Sequence, residues 1–317
     1  PGRDVKLSED RVKGYRNFLN KIWNANNFLA MNKCDFSKSK KEPKVKLNIN
    51  KWIISELNTV SKLIEKNIND YRFDEAARNI YQFVWHSYCD WYVELSKTIL
   101  NSKEKSSILE VKQTLSYVFK QILILLHPFI PFITEELWLK NKLDKPKNYL
   151  MFANWLSKKV NKDKQIKEVE NIINLISQLR AFKNELNVSP GSFVDMSIST
   201  LSQKDQLFIK KNQTVLKKLG RINNFLDTDK DKASANLVIK GDIFKIYFDQ
   251  SIDLSLIKEN LLKRQQKYQS ELDGISKRLS NKSFVERAPK NIVDQEKNNY
   301  SNLKKDIDKI SITIKGL

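Results

Sequence analysis

The stretch VKGYRNFLNKIWNANNF, residues 12–28, decides how the chain is read. Val12, Tyr15, Leu19, Ile22 and Trp23, continued by Leu29, recur at three- and four-residue spacing and predict an amphipathic helix over 9–32. Its polar positions are crowded with Asn, Arg and Lys. Lys21 and Phe28 stand seven residues apart, two turns along one face, with Asn20, Asn24 and Asn27 near it. A ring can stack on an unpaired base, a lysine can meet a phosphate or base acceptor, and amides can read base edges. The competing reading, that Phe28 is core and Lys21 is solvated, is the one that spacing alone favours.

The same periodicity runs on through the first half. A lysine-rich loop, KCDFSKSKKEPKVKLNIN, interrupts it, and Pro43 rules out helix there. Helices are predicted at 49–69, through Trp52, Ile53, Leu57, Val60, Leu63 and Ile64, and then at 73–98, 106–126 and 131–142. Short connections imply an antiparallel bundle in which each helix buries one stripe. Beyond about residue 160 the texture changes. A helix at 164–186 is followed by FVDMSIST and ANLVIKGDIFKIYFD, which alternate as half-buried strands do, with a helix at 202–218 between them. From 251 the pattern is heptad-like. Leu254, Ile257, Leu261, Tyr268, Leu272, Ile275 and Leu279 form one seam, with a gap at Arg264. Val293, Glu296, Tyr300, Leu303, Ile307, Ile310 and Ile314 form the other, after the loop NKSFVERAPK. Two such helices read as an antiparallel coiled-coil hairpin that projects from the body. The fold class is therefore mainly α: a helical bundle over 1–158, a small α+β unit over 159–250 and a coiled-coil hairpin over 251–317.

Composition narrows the function. The 317 residues carry 57 Lys and Arg against 37 Asp and Glu, a formal charge of +20. Genomic base composition contributes to the lysine count, yet such a field still attracts polyanions, nucleic acid first and an anionic membrane surface second. Cys34 and Cys89 are the only cysteines and have no metal-like spacing, which reads as a reduced, intracellular protein. The longest apolar run, QILILLHPFIPFI, is broken by Pro128 and Pro131, so a soluble chain is expected. Seven glycines and seven prolines favour helices over a turn-rich β architecture. The start, PGRDVKLSED, has no initiator Met and no signal-peptide pattern, and reads as a piece of something longer.

No catalytic centre is legible. His86 and His127 are the only imidazoles and read as structural. No zinc set, no Ser–His–carboxylate constellation and no glycine-rich phosphate loop can be assembled. FSKSK, residues 36–40, lacks the Lys-Met start of a KMSKS loop and arises easily by chance in a lysine-rich segment. Asp90, beside Trp91 and Tyr92, reads as a buried hydrogen-bond acceptor tying helices together.

Several stretches carry a resemblance. GRDVKLSEDRVKGYRNFLNKIWNANNFLAMN (2–32), FVWHSYCDWYVELSK (83–97), LHPFIPFITEELW (126–138) and LRAFKNELNVSPG (179–191) resemble, in order, the region after the catalytic domain of bacterial-type valyl-tRNA synthetases. SFVERAPKNIVDQEK (283–297) resembles the turn and second helix of that family's C-terminal coiled-coil arm. The first four recur more loosely in isoleucyl-, leucyl- and methionyl-tRNA synthetases; the last discriminates.

The resemblance implies the anticodon-binding bundle of class I synthetases, in an enzyme that joins valine to its tRNA with ATP. The family's anticodon-contacting lysine and phenylalanine fall on Lys21 and Phe28, with Arg16 and Asn20 as neighbouring candidates. On the arm, Lys263, Arg264, Lys267, Lys277 and Arg278 suit phosphate contacts near the tRNA elbow. The His-Ile-Gly-His signature, a true KMSKS loop, the nucleotide-binding fold and the editing domain are absent, so no aminoacylation is expected from this chain alone. No cofactor is expected in this segment; ATP and Mg belong to a full-length enzyme. The expected partners are tRNA(Val) and the catalytic domain of a longer chain, in a monomeric, cytoplasmic protein that does not bind membrane. Two alternatives stay open: the equivalent region of an isoleucyl-tRNA synthetase, which commonly ends in other modules, and a non-catalytic RNA-binding scaffold whose coiled coil dimerises. A membrane-surface protein needs a strongly apolar helix face, and the C-terminal seam is too narrow for that.

Overall fold

A computed structural model describes residues 8–39, 41–143, 149–156, 166–232, 234–249, 252–281, 290–315 and 317. The chain divides into two compact units, Pro1–Ile173 and Asn174–Leu317. The fold is mainly helical with one small sheet, as the periodicity implied.

The first unit is built from α1 (Glu9–Met31), α2 (Asn48–Asn69), α3 (Phe73–Gln82), α4 (Val93–Leu100), α5 (Lys105–Leu126), α6 (Pro131–Lys140) and the first half of α7 (Ile166–Glu185). At its centre is α5, whose Val111, Leu115, Val118, Phe119 and Ile122 through Leu126 are all buried. A helix apolar nearly all round belongs inside a core, and that is why QILILL reads as a membrane-like run without being one. Pro131 opens α6 at a position where the missing N–H costs nothing. Beside it His127 Nδ1 lies 2.9 Å from Thr134 Oγ1, so this histidine ties two helix ends together. Among the described residues no helix is long and apolar enough to cross a membrane.

Two expectations change. The stripe of α1 is buried at Phe18, Ile22, Ala25, Asn26 and Leu29, whereas Val12 and Tyr15 are 56% and 64% exposed. The buried stripe is thus rotated from the predicted one and begins a turn later. The predicted single helix at 73–98 is also three segments: between α3 and α4 the backbone of Phe83–Tyr92 is π-helical. Its buried residues come as Phe83 and Val84, Tyr88 and Cys89, then Tyr92 and Val93. That repeat of four to five residues matches the wider i→i+5 turn rather than the α period. Tyr92 Oη donates to Asn50 Oδ1 at 2.6 Å, and Asn50 Nδ2 donates to Glu110 Oε1 at 2.9 Å. The same Glu110 oxygen accepts the backbone N–H groups of Lys46 and Leu47, both at 2.9 Å. A carboxylate from α5 thereby anchors the entry to α2, where no side chain caps the helix.

The second unit holds the rest of α7, a four-stranded sheet and a helical hairpin. Strands β1 (Val194–Ser197), β2 (Ile222–Leu226), β3 (Ala235–Ile239) and β4 (Asp242–Phe248) lie in the order β2-β1-β4-β3. The parallel β1–β2 pair is joined through α8 (Gln203–Gly220), and β4 runs antiparallel to β1 and β3. INNFL of β2 was not read as a strand, because it is short and partly polar. The β3–β4 hairpin turns on Lys240 and Gly241, both at positive φ (53° and 96°), which a two-residue hairpin loop of this hand requires.

The hairpin itself is α9 (Leu254–Ser280) and α10 (Lys290–Ile314). Arg278 pairs with Glu296 at 3.0 Å and Gln265 donates to Ser311 at 2.7 Å, so the helices run antiparallel. The turn, residues 282–289, lies outside the described residues and with it most of SFVERAPK. The base is tied to the sheet: Asn236 Nδ2 donates to the Ile312 carbonyl, and Thr313 Oγ1 donates to the Asn236 carbonyl, each at 3.1 Å. Arg264, the gap in the heptad, donates through Nε and Nη2 to Tyr268 Oη at 3.0 and 2.9 Å.

Lys183, within LRAFKNELNVSPG, is buried at 1% exposure. It donates to the carbonyls of Ser192 at 2.8 Å and Gly220 at 3.2 Å, pinning α7 to the end of α8. Burial, with Arg221 and Arg180 nearby, lowers its pKa from the usual 10.5 to about 8. Between those values the unfolded chain holds a proton that the folded chain does not, so stability rises with pH across that window. Urea unfolding at pH 7.5 and pH 10 should show this unit gaining on the order of 1–3 kcal/mol. Lys183→Met should lack that gain.

Candidate nucleic-acid interface

The amides of the opening helix divide into two sets. Asn26 is 1% exposed and its Oδ1 accepts from Asn141 Nδ2 at 2.6 Å, tying α1 to α6. Asn20 and Asn24 are exposed, as is Arg16, and Asn27 is half-buried. Among the described residues, no hydrogen bond or ion pair engages the side chains of Arg16, Asn20 and Asn24.

Lys21 and Phe28 are neither simple core nor freely solvated. Phe28 is half-buried, with Lys97 Nζ 5.7 Å from its ring centroid and Glu94 holding that ammonium at 2.5 Å. Lys21 reaches across to the π-helical segment, where it donates to Asp90 Oδ1 and sits 4.0 Å from the Trp85 ring centroid. Asp90 Oδ2 lies 3.2 Å from His86 Nδ1. A carboxylate can only accept, so the ring nitrogen donates. Asp90 ties helices together as its sequence setting implied, but it is not the buried acceptor expected: its side chain is 38% exposed, and the lysine it ties is one the resemblance marked for recognition.

Around this ion pair stands a group of rings. Tyr81 and Trp85 stack with centroids 5.6 Å apart and 20° between planes. Phe18 lies 4.7 Å from Tyr81 and 6.2 Å from Trp85. Trp85, Tyr81 and Asp90 were not among the predicted site residues. The signal for them was the aromatic density of FVWHSYCDWY with one acid inside it, but the α-helical period put Trp85 and Asp90 on different faces. The π turn brings residues four and five apart onto one face, so His86 and Trp85 both flank Asp90.

The two thiols are held protonated, Cys89 buried and Cys34 half-buried. Burial raises the thiol of Cys89 to about 12 and that of Cys34 to about 11, and both cysteines are free. Among the described residues no three His, Cys, Asp or Glu are grouped to hold a metal.

On the arm, the five predicted phosphate contacts differ in state. Lys263 pairs with Glu259 at 2.6 Å along α9, Arg264 is bonded to Tyr268, and Arg278 is paired with Glu296. Lys267 and Lys277 are exposed and, among the described residues, carry no ion pair. The exposed cationic face of α9 thus centres on these two.

Comparison with known proteins finds two family matches, and the first runs across the boundary between the two units. Residues 50–198 match the family model for the anticodon-binding domain of tRNA ligase. Residues 253–317 match the valyl tRNA synthetase tRNA binding arm. The chain is 64% identical over its full length to a valine–tRNA ligase of Pelagibacter ubique, covering 36% of that protein. It is 36% identical to the valine–tRNA ligase of Zymomonas mobilis, and 34% identical to that of Bartonella quintana, again over its full length and 36% and 35% of theirs. The chain thus spans about a third of the length of these curated relatives.

A bundle of anticodon-binding type joined to a tRNA-binding arm defines the tRNA-recognition part of a tRNA ligase. Within that class the chain belongs to the valine–tRNA ligase family, as the counterpart of its C-terminal region.

Lys267→Ala and Lys277→Ala should each flatten the slope of log affinity for tRNA against log salt by about 0.7–0.9, one phosphate contact apiece. Thermal unfolding of either should match the parent. Arg278→Ala should instead lower hairpin stability by up to about 1 kcal/mol, the range for an exposed ion pair.

Proposed function

We propose that this chain is the tRNA-recognition region of a cytoplasmic, monomeric valine–tRNA ligase. The first unit binds the anticodon of tRNA(Val) through Lys21, Phe28, Arg16 and Asn20. The cationic face of α9 contacts backbone phosphates near the tRNA elbow. Recognition here positions the tRNA for a catalytic domain in a longer chain, which joins valine to tRNA(Val) with ATP and Mg.

The reading rests above all on the presence, in one chain, of the anticodon-binding domain and of an arm matched by a valyl-specific family model. The geometry supports it in two ways. The face of α1 bearing Arg16, Asn20 and Asn24 is open, with a half-buried ring and a held lysine beside it. The seams of α9 and α10 fill each other within one chain, which favours a monomer over a dimerising scaffold. ATP chemistry is assigned to none of these residues. The sequence has no glycine-rich phosphate loop, and the described residues offer no metal cluster.

Affinity for tRNA(Val) should exceed affinity for the same tRNA with its anticodon replaced, at every salt concentration. Phe28→Ala should weaken cognate binding by about 1–3 kcal/mol, the worth of one stacked base, and reduce anticodon preference with it. Equal affinities for the two tRNAs, with a steep salt slope, would overturn the assignment of base reading to this bundle.

A further inference from the structure

Lys21, Asp90, Trp85 and His86 form one connected unit, and their chemistry says what kind of acceptor Lys21 can meet. An ammonium has three N–H donors. Asp90 takes one, and the Trp85 ring faces another side of the group at 4.0 Å. The side chain of Lys21 keeps 25% exposure, so it is not sealed from solvent. Asp90 is itself held from its second oxygen by His86. The ammonium therefore has a set position and direction, while its charge is locally cancelled by a carboxylate.

We infer that Asp90 is a positioning residue that converts Lys21 from a phosphate contact into a base-reading donor. This rests on the proposal that the first unit binds the anticodon. Phosphate carries full charge and draws cations through counterion release, a term blind to sequence. A neutral base acceptor, a ring nitrogen or carbonyl oxygen, gains little from net charge and depends on the direction of the donor. Pairing with Asp90 removes most of the first attraction and preserves the second. The Trp85 ring face adds to the hold on the cation. In a chain of net charge +20, a lysine on the reading face without such a partner would be drawn to the nearest backbone phosphate of any tRNA.

The test uses the whole 317-residue chain, tRNA(Val) and its anticodon-replaced counterpart, with affinities measured across a salt series. Asp90→Asn keeps the shape of the side chain and removes its charge. It should lower the preference for the native anticodon by roughly tenfold, the size of one lost base contact. It should also steepen the salt slope by about 0.7–0.9, because Lys21 is released to a phosphate. Asp90→Glu should restore much of the preference. The double variant Lys21→Met with Asp90→Asn should lose the preference while keeping the parental slope. Thermal unfolding of each variant separates these effects from loss of fold. If Asp90→Asn keeps both preference and slope, or weakens binding to both tRNAs equally as its melting temperature falls, Asp90 is structural and the inference fails. If the parent itself does not distinguish the two tRNAs, the anticodon assignment fails first, before any variant is made.

Discussion

The first unit depends on the fit between the aromatic-rich segment Phe83–Tyr92 and a helix wide enough to seat its buried residues. From Phe83 to Tyr92 the chain places apolar doublets every four to five positions, and the π turn sets all of them inward against α2 and α5. An α-helical path would rotate the second and third doublets well away from the first. The widening has two consequences. Tyr92 reaches Asn50, and through it the Glu110 carboxylate that organises the start of α2. On the opposite side, Trp85, His86 and Asp90 share a face turned toward α1. Packing on one side thus creates polar geometry on the other.

Charge in this protein divides into a general part and a committed part. The net charge of +20 provides a field for any polyanion. Several cations near the surfaces of interest are nonetheless already engaged: Lys21 by Asp90, Lys97 by Glu94, Lys263 by Glu259 and Arg278 by Glu296. Exposed pairs of this kind add little stability. Their effect is to limit where free positive charge stands; among the described residues of α9, Lys258, Lys267 and Lys277 carry no ion pair. Lys183 is a different case: a buried cation that, among the described residues, pairs with no carboxylate, held by two carbonyls and poised to lose its proton at mildly alkaline pH.

Much of the architecture was legible in residue spacing. The helices at 9–32, 49–69, 106–126, 131–142, 164–186 and 202–218 appear within a residue or two of those limits, and both seams of the hairpin were visible in their heptads. Long periodic stretches are readable because burial of one face imposes the repeat directly. The strand Ile222–Leu226 was not legible: its pairing partner β1 lies across the whole of α8, and nothing local marks it as extended. The true stripe of α1 was likewise hidden, since Tyr15 and Phe18 are equally good core residues until the rings of Tyr81 and Trp85 select Phe18.

The candidate site shows the same boundary most sharply. Residue order was enough to establish a mainly α chain, its basic character and the family that its motifs resemble, because each follows from local periodicity, composition or contiguous identity. The state of Lys21 was not available there. Its partner stands 69 positions away, on a segment whose helical period departs from the α value, so no pattern in the chain joins the two. Whether a lysine is a free charge or a directed donor depends on which carboxylate comes within bonding distance, and only the packing of α1 against the π-helical segment makes that choice.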